Sequence, residues 1–320
     1  MSAQDDGLRE SRINFRQTHH EFQQLGSGEY GIACLAAKKN ANDQQAQISG
    51  LRTLLPSQHV NSTRLIVVKY YKENDDPEES GDLSNEITIM KTFGKKYHGV
   101  VPLLDSYIDD DVQWMTMPLI SGGTLEELID TSVTKVPRAF VWHVVHSIIG
   151  PLLFMYFGIT SVDASGNTES EPRWAPVTHG GDVHSANILI GPPPPAAYRH
   201  SNFPLVVLAD FGKGVTHSSL DAAFLDAAKD DVLSFTRVFR EFYENDGGAQ
   251  CDEAEAWLAK CENLDTDDYD FNVSTEEFLL GLLKTAAKER RKGDQNMPQA
   301  VLNEIASVPR LIDAPVIEEE

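Results

Sequence analysis

An α+β fold in two parts of different class is predicted by the order of the apolar patterns. From Phe22, short β-branched runs broken by glycine read as strands, with one helical pattern among them. Beyond residue 124 most segments repeat apolar residues at helical spacing. The chain has 320 residues, 41% of them hydrophobic, which is enough core for one large two-lobed domain or two modest ones.

The elements follow in order. Residues 1–16 are polar and charged and read as a loosely ordered segment, with no signal-peptide pattern. "FQQLGSGEYGIACLAAKK" and "RLIVVKYY" read as strands, separated by a polar insert over residues 41–62. In "LSNEITIMKTFG", Leu83, Ile87, Met90 and Phe93 recur at near-helical spacing, with Gly94 as the stop. "VVPLLDSYID" and "VQWMTMPLI" are two further strands, and "SGGTLEELIDT" is a turn entering a short helix. Ala139 to Gly158 is long and apolar enough to resemble a membrane span. It carries His143, His146 and Pro151 and has acidic stretches on both sides, so a buried core helix is expected. The two histidines at i, i+3 lack an evident third metal ligand and read as core or edge residues. "SVDASGNTESEPRWAP" reads as a polar loop. "NILI" and "LVVLADFG" are apolar runs split by a Pro-rich connection over 191–204, where the prolines exclude a sheet or helix interior. The remainder reads as four helices and an acidic tail at 312–320.

Charge narrows the partners. The 49 acidic residues against 27 basic give a net charge of −22, a surface that repels nucleic acid and anionic membranes, so neither is expected as a partner. Cys34, Cys251 and Cys261 show no metal-ligand spacing and suit a reduced compartment, cytoplasmic or nuclear.

Four local features carry chemistry. Gly26-Ser27-Gly28-Glu29-Tyr30-Gly31 joins two strands, where backbone N–H groups can close over phosphates; an ordinary glycine turn is the alternative. Lys69 sits in a β-branched strand, where burial demands anionic partners, and Glu86 in the following helix is the best-placed carboxylate; the alternative is a solvent-facing edge Lys. Asp182 and Asn187 lie in "THGGDVHSANILI", and Asp210 follows an apolar strand before Phe211-Gly212. Asp182 can accept a proton from a hydroxyl. Asn187 and Asp210 offer oxygens suited to Mg²⁺, which keeps waters and phosphate oxygens as its other ligands. Each of these residues alone could be a cap or a turn.

Their order decides between these readings. A Gly-rich hairpin, a strand Lys, a helix Glu, Asp-x-x-x-x-Asn and Asp-Phe-Gly occur in the sequence of the phosphoryl-transfer template. From Phe22 to Leu311 the chain resembles the protein kinase superfamily, in a divergent form of the kind abundant in fungi. The resemblance implies a two-lobed fold over 17–311: a small β-rich N-lobe with one helix (17–117), a hinge (118–123) and a larger, mainly helical C-lobe (124–311). It implies ATP and Mg²⁺ as cofactors. Gly26, Ser27, Gly28 and Gly31 would cover the phosphates, Lys69 would pair with them and with Glu86, and Ala33, Val67 and Leu189 would face the adenine. Met117 would be the gatekeeper, with Pro118 and Leu119 presenting backbone to the base. Asp182 would be the catalytic base, Asn187 and Asp210 the metal ligands, and Asp231 the buried helix Asp that tethers the catalytic loop.

The chain departs from the family at defined places. Gly180-Gly181-Asp182 stands where His-Arg-Asp is usual, which removes the partner of a phosphorylated activation loop. His179 would have to fill the stack position that Gly180 vacates. His184 replaces the loop Lys that touches the γ-phosphate, and a protonated imidazole would serve in part. Only a short segment separates Asp210 from Asp231, with no Ala-Pro-Glu in it. "HGGDVHSANIL" also resembles the loop of aminoglycoside and choline kinases. The expected activity is phosphotransfer from Mg-ATP to a hydroxyl, with protein Ser/Thr as first choice of acceptor. The alternatives are a small-molecule acceptor, and a pseudokinase acting as a binding module.

Overall fold

A computed structural model describes residues 3–27, 31–39, 65–71, 83–94, 99–109, 112–131, 136–163, 165, 167–192, 203–245, 252–262 and 271–292. Gly28, the insert at 41–62, most of the Pro-rich connection at 191–204, the helix expected over 298–308 and the acidic tail lie outside the described residues. The fold is mixed α and β, with a five-stranded antiparallel sheet and seven α-helices among the described residues. The described residues divide into two units, one of residues up to Lys91 with Pro102–Leu119, the other Thr92–Val101 with those from Ile120 onward. The division after Leu119 falls inside the 118–123 stretch.

The first unit is built on strands β1 (His19–Ser27), β2 (Gly31–Lys38), β3 (Leu65–Tyr71), β4 (Asp105–Asp109) and β5 (Val112–Pro118), in the order β1-β2-β3-β5-β4. Residues opposite one another in antiparallel pairs share a face. One face carries Cys34, Ala36, Val68, Tyr70 and Trp114, all buried. The predicted loosely ordered N-terminus is overturned here. Residues Ala3–Arg16 form helix α1, which packs on β1, β3 and β5 and covers that face.

Phe15 of α1 is fully buried, with ring centroids 5.2 Å from Trp114 and 5.8 Å from Tyr70. The Trp114 indole N–H donates to Asn14 Oδ1 (2.9 Å), and the Gln113 amide donates to Ser11 Oγ (3.0 Å). Glu21, buried under the helix, meets Arg12 (3.0 Å) and accepts from the Tyr70 hydroxyl (2.8 Å). The fold therefore begins well before residue 17. Phe15→Ala should lower unfolding free energy by about 3–5 kcal/mol in urea titrations. A loss below about 1 kcal/mol would show that α1 does not dock.

Helix α2 (Leu83–Phe93) supplies Glu86, and its stop, Gly94, has φ 61° as a left-handed cap requires.

In the second unit a capping box opens helix α3 (Leu125–Thr131): the Thr124 N–H donates to Glu127 Oε2 and the Glu127 N–H to Thr124 Oγ1. The apolar run forms helix α4 (Arg138–Phe157), ended by Gly158 in the left-handed region (φ 68°). It is apolar all round, and 78% of its most apolar window is buried within the protein, the packing of a core helix. His143 lies inside this packing. It donates through Nε2 to the Pro204 carbonyl (2.9 Å), and burial pushes its pKa down to about 3.

The polar stretch after α4 departs from the predicted loop. Strands β6 (Ile159–Val162) and β7 (Thr168–Ser170) pair as a hairpin, and the Trp174 indole donates to the Met155 carbonyl. Then follow β8 (Val177–Thr178), the antiparallel pair β9 (Ile188–Gly191) and β10 (Leu205–Leu208), and β11 (Val215–Thr216), which pairs with β8. Helices α5 (Ala222–Asn245), α6 (Asp252–Glu262) and α7 (Phe271–Lys292) are the remaining elements among the described residues, with α7 and α5 against α4.

Candidate functional site

In the first unit, strand register gathers most of the predicted nucleotide-side residues. Ala33 pairs with Lys69, Val67 with Met117, and Gly26 with Ala33, so all five lie on the face opposite α1. Ser27 pairs with Ile32 and lies on the α1 face. Gly31 is required by the sheet itself, because a Cβ there would run into the Tyr70 carbonyl oxygen. Pro118 ends β5 and Leu119 follows it; both are half-buried.

Lys69 lies mid-strand and buried. Its Nζ sits 2.7 Å from Glu86 Oε2, in a pair where Glu86 is 2% exposed. Desolvation makes either charge alone costly, so the two hold each other and fix α2 to the sheet.

The second unit holds the loop that carries Asp182. Gly180 (φ 80°) and Gly181 (φ 73°) both adopt left-handed backbone. A Cβ at Gly180 would strike the Lys213 carbonyl. This close approach leaves no room for a side chain at Gly180, whereas Gly181 is favoured by its positive φ alone. The loop is clamped by α5. The Asp231 carboxylate accepts from the His179 N–H (2.6 Å), the Gly181 N–H (2.6 Å) and the Tyr156 hydroxyl (3.0 Å), and the Ser234 hydroxyl donates to the Gly181 carbonyl (2.7 Å). Asp231 thus tethers the loop as its position predicts. It has no exposure; burial raises its carboxyl to about 7, while the three donors pull the other way.

Held this way, Asp182 turns its carboxylate toward three side chains. Asn187 Nδ2 donates to Asp182 Oδ2 (2.9 Å) and to its carbonyl (3.0 Å). Asp182 Oδ1 lies 3.5 Å from His184 Nε2 and 3.5 Å from Lys213 Nζ. The Ile188–Leu208 pairing, with the Ala209 N–H bonded to the Asn187 carbonyl (2.9 Å), brings Asn187 and the end of β10 together. Asp210 follows at φ 60°, a left-handed conformation uncommon for residues with a side chain, though Asp adopts it more readily than most. Leu189 sits one residue into β9 and bridges to Thr124.

His179 does occupy the position next to Phe211: their ring centroids are 4.9 Å apart, and Phe211 meets Phe93 at 5.0 Å. Burial holds His179 neutral, with its Nε2 donating to the Ala209 carbonyl (3.0 Å).

Sequence reasoning missed Lys213, Tyr156 and Ser234. Lys213 directly follows the Asp-Phe-Gly motif, and that adjacency was the only available signal. Among the described residues no group of three or more His, Cys, Asp or Glu could hold a metal ion. Asn187 and Asp210, the two oxygen ligands expected from the sequence, flank the β9–β10 pair at the same end, Asn187 just before β9 and Asp210 two residues beyond the end of β10. No protein-family model and no curated protein matches the chain.

Proposed function

We propose that this chain is an ATP-dependent phosphotransferase with a two-lobed protein kinase-like fold, passing the γ-phosphate of Mg-ATP to a hydroxyl. The observation that carries the reading is the loop clamp. Asp231, remote in sequence, grips the backbone on both sides of Gly180, and the left-handed pair of glycines hands Asp182 to Asn187 at 2.9 Å. The clamp fixes the position of a partly exposed carboxylate, which is what a general base requires. The buried Lys69–Glu86 pair is the second support, since it supplies a fixed cation on the sheet face that carries Ala33, Val67 and Met117.

In this reading Asp182 takes the proton of the incoming hydroxyl, with Asn187 holding one carboxylate oxygen so that the other faces the acceptor. Lys69 orients the phosphates, with Glu86 keeping its ammonium in place. Asn187 and Asp210 would hold Mg²⁺, which neutralises phosphate charge when bound.

Protein Ser/Thr is the first choice of acceptor. One observation favours a small-molecule alcohol as a second reading: only residues 213–221 lie between the Asp-Phe-Gly motif and α5, little chain on which to lay a peptide.

Calorimetric titration with Mg-ATP tests the proposal. Wild type should bind with a requirement for Mg²⁺. Lys69→Met combined with Glu86→Gln, which strands no buried charge, should bind about 10- to 100-fold more weakly. Equal affinity in the two proteins would remove Lys69 from the site. Turnover against basic proteins and against a panel of amino-alcohols then separates the two acceptors.

A further inference from the structure

We propose that Lys213 is a catalytic residue, the cation that meets the transferring phosphoryl group beside Asp182. It would do the work of the loop position that His184 occupies. The inference rests on the phosphotransferase reading and deepens it.

Three observations carry it. First, Lys213 Nζ lies 3.5 Å from Asp182 Oδ1, the oxygen left to the reacting groups once Asn187 has taken Oδ2. Second, the backbone of Lys213 is fixed against the loop. Its carbonyl fills the space that a Cβ on Gly180 would need, and the turn behind it closes with the Gly214 N–H donating to the Phe211 carbonyl (3.0 Å). The ammonium is therefore delivered from a preorganised turn, while the side chain, 40% exposed, keeps access to an incoming ligand. Third, His184 Nε2 lies 3.2 Å from Asn187 Nδ2 and 3.5 Å from Asp182 Oδ1, so its ring is turned onto the loop's own side chains. The loop that lost its lysine regains a positive charge from Lys213.

The chemistry needs no further reactant. The hydroxyl oxygen bonds to the γ-phosphorus as the bond to the β-phosphate bridging oxygen breaks. The hydroxyl proton goes to Asp182, and the electron pair of the broken bond leaves on ADP. Lys213 stabilises charge on the oxygens of the group in flight and exchanges nothing.

The test compares wild type with Lys213→Met, Lys213→Arg and the double variant His184→Lys/Lys213→Met, with Asp182→Asn as the control for the parent reading. Steady-state turnover is measured beside ATP and ADP affinities, and thermal unfolding checks that each variant is folded. Losing one preorganised charge should lower kcat of Lys213→Met on the order of 10²-fold. Its ATP affinity should fall while its ADP affinity holds, because the γ-phosphate is the contact. Lys213→Arg should recover most of the rate, and the double variant should recover much of it by returning the charge to the loop. A kcat for Lys213→Met within about threefold of wild type, in an enzyme whose turnover still depends on Asp182, would overturn the role of Lys213 and leave the phosphotransferase reading standing. No Mg-ATP binding and no Asp182-dependent turnover in wild type would overturn both.

Discussion

Asp182→Asn is expected to lower kcat about 10³-fold while changing the KM for ATP and the unfolding temperature little. General-base catalysis contributes roughly 10²- to 10⁴-fold, and the proton acceptor disappears with the carboxylate. The fold should survive because the substitution is isosteric and the new side chain retains an oxygen. That oxygen can still accept from Asn187 Nδ2, the contact made at 2.9 Å. Asp231 and Ser234 grip the loop through backbone atoms of His179 and Gly181, which the substitution leaves alone. Asp182 is 20% exposed, so its loss opens no core cavity. The expected signature is a fall in kcat alone, the mark of an interaction made in the transition state. Steady-state kinetics with saturating Mg-ATP reads it. An unchanged residual rate in the variant would mean that the protein binds nucleotide without using this loop for transfer, as the pseudokinase alternative holds.

The legible parts of this molecule are those where a residue type leaves few choices. A lysine between valines and tyrosines must find an anion if it is buried, and Glu86 was the nearest carboxylate on a helical pattern; the two meet at 2.7 Å. Strand β3 announces itself by its β-branched run and the β1–β2 pair by its glycine break, and the order of the motifs marks the loop and the tethering Asp231.

The illegible parts depend on tertiary partners. Helix α1 has Leu8 and Phe15 as its main apolar contacts, set among arginines and acids, so its pattern reads as a charged tail. Its burial comes from a sheet face with Tyr70 and Trp114 waiting for Phe15, and from Glu21 collecting arginines. The β6–β7 hairpin is hidden for a related reason, because Thr168, Glu169 and Ser170 are exposed and carry no apolar alternation. Lys213 looks like any surface lysine until its distance to Asp182 is known. The glycine pair at 180–181 reads as a defect in a motif, whereas the backbone shows a turn that no side chain at Gly180 could enter.

Asp231→Asn should cost both stability and rate, and its cost should depend on pH. The carboxylate accepts three hydrogen bonds, two of them from backbone N–H groups on different oxygens. An amide offers one oxygen, so its NH₂ must face a donor, and at least one buried N–H loses its partner. An unsatisfied buried group costs about 1–3 kcal/mol, and the donor clash adds to it, so about 3 kcal/mol is expected above about pH 7, where the carboxyl is ionised. The loop then shifts, and a displacement of Asp182 by about 1 Å costs roughly 10²-fold in rate.

The pH dependence follows from the raised carboxyl. With the folded group at about 7 and the unfolded one near the ordinary carboxylate value, the folded state holds a proton that the unfolded state has lost between about pH 4 and pH 7. Stability from this group is full below that window and declines as pH rises through it, so wild type loses stability across the window and the Asn variant does not. The stability deficit of Asp231→Asn, read from urea unfolding at fixed pH steps, should therefore narrow from pH 4 to pH 7 and stay constant above. A deficit that holds level across the window would mean that the three donors outweigh burial and keep Asp231 ionised throughout. The clamp on the loop would then be a charge-assisted one at every pH where the protein folds.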